Sequence, residues 1–390
     1  MRVGGVVVAA GRRSGTVTDR SLKGPMYVSI ISSPTRRSSR RLLAAAATLL
    51  VVPPLLVAVP AVASAATTTD RADAAAGWLG RQLSSKSDTV EGQFGPDYGL
   101  TADVVLALDS AGVGQAAASR ATKALQAHVV DYTGFGDPNE FFAGSFAKLI
   151  NVAVAQGANP RSFGSSARRD LVGQLRYLEC GKGGRPACAP SDAGRYSDLS
   201  AFGDFSNTIT QSLAVLGLER ATKPGPSVAS VVYLRAQQCS NGAFPLEIST
   251  AGCKPSVDAT AFAVQALSEA GGKKAKAAST KAGAWLKRTQ HGNGSFTGNG
   301  TRNANTTGLA AQALRAVGRD KAADEAMSFV RSLQLGCGTK PVNRGKVRYD
   351  KANSGDAVRA TAQAVPALAG QTLAEVSKKG ARRALPTLAC

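Results

Sequence analysis

The chain contains 390 residues, with 44% hydrophobic and 5% aromatic side chains, and its 47 basic and 26 acidic residues give a formal net charge of +21. This length accommodates one large core or a ring of repeats. The basic residues are scattered and no nucleic-acid-binding motif accompanies them, so nucleic acid is excluded as a partner.

The first 65 residues predict a leader with a signal peptide. Two arginine pairs precede the apolar stretch 42–62, which ends in Ala63-Ser-Ala65. These features are the n-region, the h-region and the cleavage site of an export signal, with Met26 as a candidate true start. Prolines within the stretch argue against an uncleaved anchor. We expect a secreted, extracellular chain that begins near Ala66 and has no transmembrane anchor after processing.

Positive charge remains after the leader is removed. Residues 66–390 contain 38 basic and 25 acidic residues, a net charge of +13, and the densest basic run is Gly271-Gly-Lys-Lys-Ala-Lys276. One interpretation is a solvated basic surface. The other is affinity for anionic cell-wall polymers or phospholipid headgroups.

A pattern recurs six times between residues 92 and 370. Five copies open with Gly, Asp or Asn and close with Gly 13 residues later, and a sixth is one residue longer. The opening and closing residues are Gly99 and Gly112, Gly144 and Gly157, Asp204 and Gly217, Asp258 and Gly271, Asn305 and Gly318, and Asp356 and Gly370. Fixed periods of this size indicate stacked supersecondary units. Six such units predict a closed ring.

Each unit reads as two helices joined by a turn. An outer helix ends with an aromatic residue and a glutamine, and an Ala-rich inner helix follows. Several turns contain Gly-x-Phe, as in Gly92-Gln-Phe94, Gly242-Ala-Phe244 and Gly294-Ser-Phe296. Strand alternation is nearly absent, so the predicted fold class is all-α.

This pattern resembles the repeat of the terpenoid cyclase and protein prenyltransferase toroids, the prenyltransferase/squalene-oxidase-like repeats. The segments Gln290-His-Gly-Asn-Gly-Ser-Phe296 and 305–314 fit best, and 256–263 is similar to the toroid domain of the cobalamin carrier proteins. The resemblance covers about residues 70–372 and implies an (α/α)6 toroid of six helical hairpins, with residues 66–390 as one monomeric domain. The Gln and Gly-x-Phe positions are expected to join one repeat to the next.

Six cysteines follow the predicted cleavage site. An even number in an exported chain predicts three disulfides, for which fifteen pairings exist. The neighbouring pairs Cys180–Cys188, Cys239–Cys253 and Cys337–Cys390 make structural sense. The first two would close loops between helices and the third would pin the C-terminal tail. No Cys-x2-Cys motif or paired histidine is present, so we predict no metal and no cofactor.

Polar and aromatic side chains are predicted to share one rim of the ring. If the inner helices are parallel, their starts lie together, and the turn aromatics lie nearby. The candidate ligand-binding residues are Asp204, Asp258, Asn305, Asp356, Phe94, Tyr98, Phe244 and Phe296. Such a concavity suits a small molecule or a glycan. The alternative is that the Asp and Asn residues only cap helices.

Missing motifs favour binding over catalysis. The acid motif of triterpene cyclases, the zinc ligands of prenyltransferases and hydrolase nucleophile motifs are absent from the sequence, so the catalytic residues are unknown. We therefore expect a non-catalytic binding or scaffold protein whose partner is a small molecule or a cell-wall polymer. The alternative is an extracellular cyclase-like, prenyltransferase-like or glycan-degrading enzyme that uses rim carboxylates such as Asp258 and Asp356.

Overall fold

A ring of inner helices surrounded by outer helices makes up the described part of the chain. The computed structural model describes residues 66–164, 170–181, 188–221, 223–248, 252–352 and 355–390. The predicted leader, residues 1–65, lies outside the described residues. Two short 3-10 helices, Pro190–Asp192 and Pro341–Asn343, lie in the connections before inner helices.

Within the described residues, six inner helices close into a ring. They are α2 (Tyr98–Ala111), α5 (Ala143–Ala155), α7 (Thr208–Ala221), α9 (Val257–Ala270), α11 (Ala304–Ala316) and α13 (Ala357–Leu368). The outer helices are α1 (Arg71–Gly80), α3 (Gln115–Ala127), α6 (Leu171–Tyr177), α8 (Val228–Ala236), α10 (Lys273–Thr289) and α12 (Asp320–Leu333), and the short α4 (Val129–Gly134) follows α3. Each inner helix packs against the next, and α13 packs against α2. The all-α (α/α)6 toroid is therefore confirmed.

Short strands line the end of the ring where inner helices begin. Antiparallel hairpins precede α2, α9 and α11: β2 (Val90–Gly92) with β3 (Gly95–Asp97), β4 (Phe244–Pro245) with β5 (Pro255–Ser256), and β6 (Thr297–Gly298) with β7 (Thr301–Arg302). The parallel strands β1 (Thr67–Thr68) and β8 (Thr387–Leu388) join the two ends of the described chain.

None of the helices in the described ranges is long and apolar enough to cross a bilayer.

Alanine fills the contacts between the helices. In α9, for example, Ala259, Ala261, Ala263 and Ala266 are fully inaccessible to solvent. Small side chains on several faces let one inner helix contact two inner neighbours and its outer helices at once. The alanine-rich composition thus suits a ring in which each inner helix is surrounded.

Three glutamines join one repeat to the next, as predicted, whereas Gln82 bonds to Trp78 O of its own helix. Gln290 Nε2 donates to Gly294 O in its own turn (3.1 Å) and to Ala322 O of the next outer helix (2.8 Å). Gln334 Nε2 bonds Arg71 O at 2.8 Å and thereby ties the last repeat to the first. In the α8 repeat the equivalent residue is Gln238, the neighbour of the glutamine that the sequence pattern selects. Because these amides are largely shielded from water, the hydrogen bonds fix the position of each repeat.

Two of the Gly-x-Phe turns are anchored by threonines of the inner helices. Phe244 N donates to Thr260 Oγ1 (2.9 Å) and Phe296 N donates to Thr307 Oγ1 (3.0 Å). Both phenyl rings are fully buried in the core. The turns therefore position the outer helices as well as joining them to the inner ones.

All three predicted disulfides are confirmed. The Cα–Cα distances are 5.7 Å for Cys180–Cys188, 5.8 Å for Cys239–Cys253 and 5.6 Å for Cys337–Cys390, within the range that disulfides require. The third bond attaches the C-terminal residue to the connection that follows α12. The tail is thus covalently held against the ring.

The C-terminal tail covers the end of the ring where inner helices finish. After α13 the chain crosses this end, and Leu373 N donates to Gln265 Oε1 of α9 (2.8 Å). Lys378 N then donates to Ala155 O of α5 (2.8 Å), and Arg382 N donates to Gly112 O after α2 (2.9 Å). Leu373 and Val376 are buried beneath this segment. The tail therefore blocks one end of the ring, and the opposite end carries the hairpins.

Candidate functional site

Of the four Asp and Asn residues predicted at the rim, three do not cap helices. Ser256 Oγ accepts from Ala259 N at the start of α9 (3.2 Å), and Asn303 Oδ1 accepts from Thr306 N at the start of α11 (2.9 Å). Asp258 and Asn305 therefore lie two residues inside their helices, while Asp356 caps α13. The capping interpretation is wrong for Asp258 and Asn305 because the preceding hairpin already supplies the cap.

Asp204 lies in the loop before α7 and organises that loop. Its carboxylate accepts from Arg195 Nη2 at 2.7 Å and from the backbone N of Asp198 and Ser206, both at 3.0 Å. Asp198 in turn accepts from Ala143 N at the start of α5 (2.7 Å). Asp204 is consequently neither a helix cap nor a residue of the cavities described below.

Asp258 and Asn305 each keep an acceptor oxygen without a hydrogen-bond partner among the described residues. In both side chains this atom is Oδ1, which is shielded from solvent. Burial raises the pKa of Asp258, and a hydrogen bond with Thr306 acts in the opposite direction. Asp258 lines a cavity of about 480 Å³ between the second and third hairpins, together with Glu247. It is thus a carboxyl group with a raised pKa beside a cavity.

The predicted aromatic residues separate into two groups. Phe94 is 95% exposed at the tip of the first hairpin, and Tyr98 is partly buried beside it. Phe244 and Phe296 are buried in the core, so the prediction that they line the rim is wrong. The backbone N of each of these phenylalanines donates to a threonine of an inner helix, and both phenyl rings lie inside the core.

A wide cavity opens at the starts of α2, α5 and α7. Its volume is about 900 Å³. Exposed phenyl rings surround its mouth: Phe94, Phe135 and Phe205 are 95%, 74% and 62% exposed. The remaining lining includes Tyr98, Tyr132, Phe142 and Lys148. Exposed aromatic side chains around a concavity are typical of a site that a ligand covers.

A smaller chamber of about 170 Å³ continues this cavity toward the ring axis. Lys148, Ile209 and Leu213 line both spaces. All six inner helices and the tail contribute to its wall, which is otherwise formed by Asp103, Leu106, Phe262, Leu309, Gln312, Arg359, Ala362, Gln363, Pro366 and Leu373. The chamber is mostly apolar, and the tail closes its far end.

Two cations at the chamber wall are held in ion pairs. Lys148 Nζ lies 2.8 Å from Asp103 Oδ1, and Arg359 lies 2.8 Å from Asp356 and 3.7 Å from Asp97. Burial acts to lower the pKa of Lys148, but the nearby Asp103 carboxylate reverses this effect and the net pKa is raised. Burial also acts to lower the pKa of Arg359. The neighbouring carboxylates outweigh this effect, and the net pKa is raised. These charged groups can orient a ligand but are poorly suited to proton transfer.

Sequence reasoning missed Asp103, Lys148 and Arg359. The available signal was an ionisable residue within an otherwise small and apolar inner helix, as in Thr101-Ala-Asp-Val-Val105. The helical pattern alone does not say that these side chains meet, because they come from three repeats. Among the described residues no group of three or more His, Cys, Asp or Glu side chains is placed to hold a metal ion.

Comparison with known proteins supports the fold. No family model and no curated protein matches the chain. The structure is similar to type II terpene cyclase MstE from Scytonema, with 16% identity, a TM-score of 0.54, and 77% of this chain and 97% of that chain covered. It is also similar to an unsaturated glucuronyl hydrolase specific for heparin, with 12% identity, a TM-score of 0.54, and 76% and 95% covered.

A further match is partial. The chain spans half the length of ent-copalyl diphosphate synthase from Streptomyces platensis, with 19% identity, a TM-score of 0.47 and 70% of this chain covered. The similarities to the Scytonema cyclase and to the glucuronyl hydrolase show the fold and leave function to the site itself.

Proposed function

We propose that the chain is a secreted, monomeric binding protein that holds a small molecule with an apolar body inside the toroid. One observation carries this proposal: a mouth of exposed phenyl rings leads into an apolar chamber that the tail closes. Both chamber cations are already paired with carboxylates. Such a chamber offers burial and a few polar contacts, which are the properties of a binding site.

The lining favours an amphiphile over a glycan. Leu106, Leu213, Phe262 and Leu309 offer no hydrogen bonds to sugar hydroxyls, whereas they suit a hydrocarbon chain. A polar end of the ligand would meet the Asp103–Lys148 pair. A variant of the Scytonema cyclase was solved with geranylgeranyl dihydroxybenzoate as substrate, a molecule of this type. We therefore take a polyprenyl compound as the ligand class to test.

Phe94→Ala is expected to weaken binding of geranylgeraniol by about tenfold, because a ligand that covers this ring loses a large apolar contact. Phe94 is 95% exposed, so folding is expected to be unaffected. The matched control is Val342→Ala, which shortens a side chain that is 73% exposed in the second 3-10 helix, outside the cavities. Isothermal titration calorimetry of both variants measures the effect.

Three results would contradict this function. They are no measurable affinity of the wild-type protein for the polyprenyl alcohol, equal losses in both variants, or tighter binding of an unsaturated heparin disaccharide. The last would identify a glycan site. A protein that elutes as a dimer in light-scattering measurements would reject the monomer.

The proposed leader also has a direct test. Ala66 O accepts a hydrogen bond from Thr387 N at 2.8 Å, so a chain that begins here has its first residues fixed against β8. Three disulfides are typical of exported proteins. N-terminal sequencing of protein from culture medium should start near residue 66. Retention of the apolar stretch, or absence from the medium, would refute cleavage and export.

A second candidate function rests on Asp258. A carboxyl group with a raised pKa and a partner-free oxygen, with Glu247 in the same cavity, has the properties of a general acid. Asp356, the other carboxylate considered for catalysis, is instead tied to Arg359. An enzyme of this kind would use the cavity of about 480 Å³ between the second and third hairpins.

Asp258→Asn separates the two functions. If the chain is an acid–base enzyme, product formation from polyprenyl or glycan substrates should fall by at least about a hundredfold, because an amide cannot transfer the proton. Folding should be kept because Ser256, not Asp258, caps α9. Mass spectrometry of the products measures turnover, with Asp324→Asn as an exposed control. Turnover that survives in Asp258→Asn would remove this residue as a catalyst.

A further inference from the structure

We propose that the outer wall of the toroid at α8 and α10 docks on an anionic lipid bilayer. The docking surface, called the α8–α10 face, consists of Val228, Val232 and Arg235 of α8 and Lys273, Lys274 and Lys276 of α10. Residues of both helices line one groove of about 410 Å³. This inference is independent of the ligand in the cavity.

The ionisable side chains of α10 are all cationic. They are Lys273, Lys274, Lys276, Lys281, Lys287 and Arg288. The buried side of the helix is formed by Ala275, Ala278, Ala282, Trp285 and Leu286, so the cations lie on the solvent side. Lys287 pairs with Glu325 of α12, away from the groove. Among the residues that line the groove the one carboxylate is Glu219, which pairs with Lys223.

The lysines of the α8–α10 face occupy positions that are unfavourable for the stability of α10. Lys273, Lys274 and Lys276 occupy the first turns of α10, and the preceding Gly272 gives no side-chain cap. Positive charge near a helix N-terminus is unfavourable because that end carries partial positive charge. A local rule broken in this way is characteristic of a functional surface.

Exposed aliphatic residues beside the lysines favour a bilayer over a soluble polyanion. Val228 is 82% exposed and Val232 is 47% exposed, one helical turn apart on α8. A polyanionic chain would satisfy the lysines and leave both valines in water. At a membrane interface the cations meet anionic headgroups while the aliphatic side chains enter the region of the acyl boundary.

The location of this face is compatible with a free cavity mouth. Lys273 follows the C-terminal end of α9, and Val228 follows the C-terminal end of α7. Both therefore lie toward the end of the ring that the tail covers. The phenyl rings of the mouth surround the opposite end, so docking would leave the cavity accessible to its ligand.

Vesicle co-sedimentation tests the proposal. Residues 66–390 should bind vesicles of phosphatidylcholine that contain ~30 mol% phosphatidylglycerol, because their surface is strongly negative. They should not bind vesicles of phosphatidylcholine alone. K273E/K274E/K276E should lower the partition coefficient by at least about tenfold. Glutamate suits the first turn of a helix, so this variant is expected to fold. V228S/V232S should lower the partition coefficient by about threefold, most clearly at high salt.

The control is K86E/K340E/K351E, which makes the same charge change at exposed lysines elsewhere and should alter binding by less than about twofold. Equal losses in the two triple variants would overturn the proposal in favour of nonspecific attraction. Binding to soluble polyphosphate with no binding to anionic vesicles would overturn it in favour of a polymer partner. An unchanged partition coefficient of V228S/V232S would overturn it in the same way. Phe94→Ala should keep full vesicle binding, which separates this result from failure of the cavity function.

Discussion

Replacing Gly345 by alanine is expected to destabilise the toroid by at least about 3 kcal/mol, because two penalties act together. The backbone at Gly345 has φ +92°, a conformation that residues with a Cβ adopt at a cost. A Cβ at this position would also overlap the backbone of Ala74 in α1. The turn after α12 approaches α1 here, where Gln334 closes the ring.

Gly318→Ala is the matched control. Gly318 has φ +70°, but a Cβ there meets nothing within 4 Å, so this variant should lose only about 1 kcal/mol. Urea unfolding of residues 66–390, followed by circular dichroism, gives both free energies of unfolding. Equal losses would show that the close approach to Ala74 contributes nothing to stability.

Asp109→Asn is expected to stabilise the protein more at pH 8 than at pH 5. Asp109 is buried at the end of α2, where Gln156 Nε2 donates to both carboxylate oxygens at 2.6 and 2.8 Å. Burial raises the pKa of Asp109 to about 7, while the bond from Gln156 and the charge of Lys378 act to lower it. The environment thus favours the protonated form despite these two polar neighbours.

The direction of the pH effect follows from proton binding. Between the unfolded pKa of 3.8 and the folded pKa of about 7, the folded state holds more protons than the unfolded state. The contribution of Asp109 to stability therefore falls as pH rises through this window, by roughly 2 to 3 kcal/mol between pH 5 and pH 8. Asparagine does not titrate. The wild-type protein should accordingly lose this amount relative to Asp109→Asn over the same interval.

Asp324→Asn serves as the control because Asp324 is an exposed carboxylate in a surface ion pair with Arg315. Its free energy of unfolding should differ from that of the wild-type protein by less than about 1 kcal/mol at both pH values. Thermal and urea unfolding at pH 5 and pH 8 provide the measurement. A difference between Asp109→Asn and wild type that does not change with pH would show that Asp109 stays ionised in the fold.

The repeat was readable from the sequence because its determinants are local. Gln290, Gly294 and Phe296 lie within seven residues of one another, and each makes a contact that holds this repeat in place. The glutamine joins neighbouring outer helices, the glycine permits a close approach, and the phenyl ring enters the core. The pairing of neighbouring cysteines was readable for the same reason, since two of the three bonds close short loops.

The starts of the inner helices were less readable. The apolar run suggests that α9 begins after Asp258, but the hairpin brings Ser256 into position as the cap and places Asp258 inside the helix. A cap is defined by backbone geometry, and the hairpins that fix it are only two or three residues per strand. The prediction of rim aromatics failed at Phe244 and Phe296 because a turn residue can point outward or into the core with the same local sequence.

The sequence by itself determined the period, the helical unit, the number of repeats and the disulfide framework, because each depends on spacings within about fifty residues. Only the tertiary structure decided the site. Asp103, Lys148 and Arg359 come from α2, α5 and α13 and meet because the ring closes. The tail likewise seals the chamber through contacts with helices that lie up to several repeats away, as in the bond of Leu373 to Gln265. Such contacts depend on how the whole chain packs, and no local pattern encodes them.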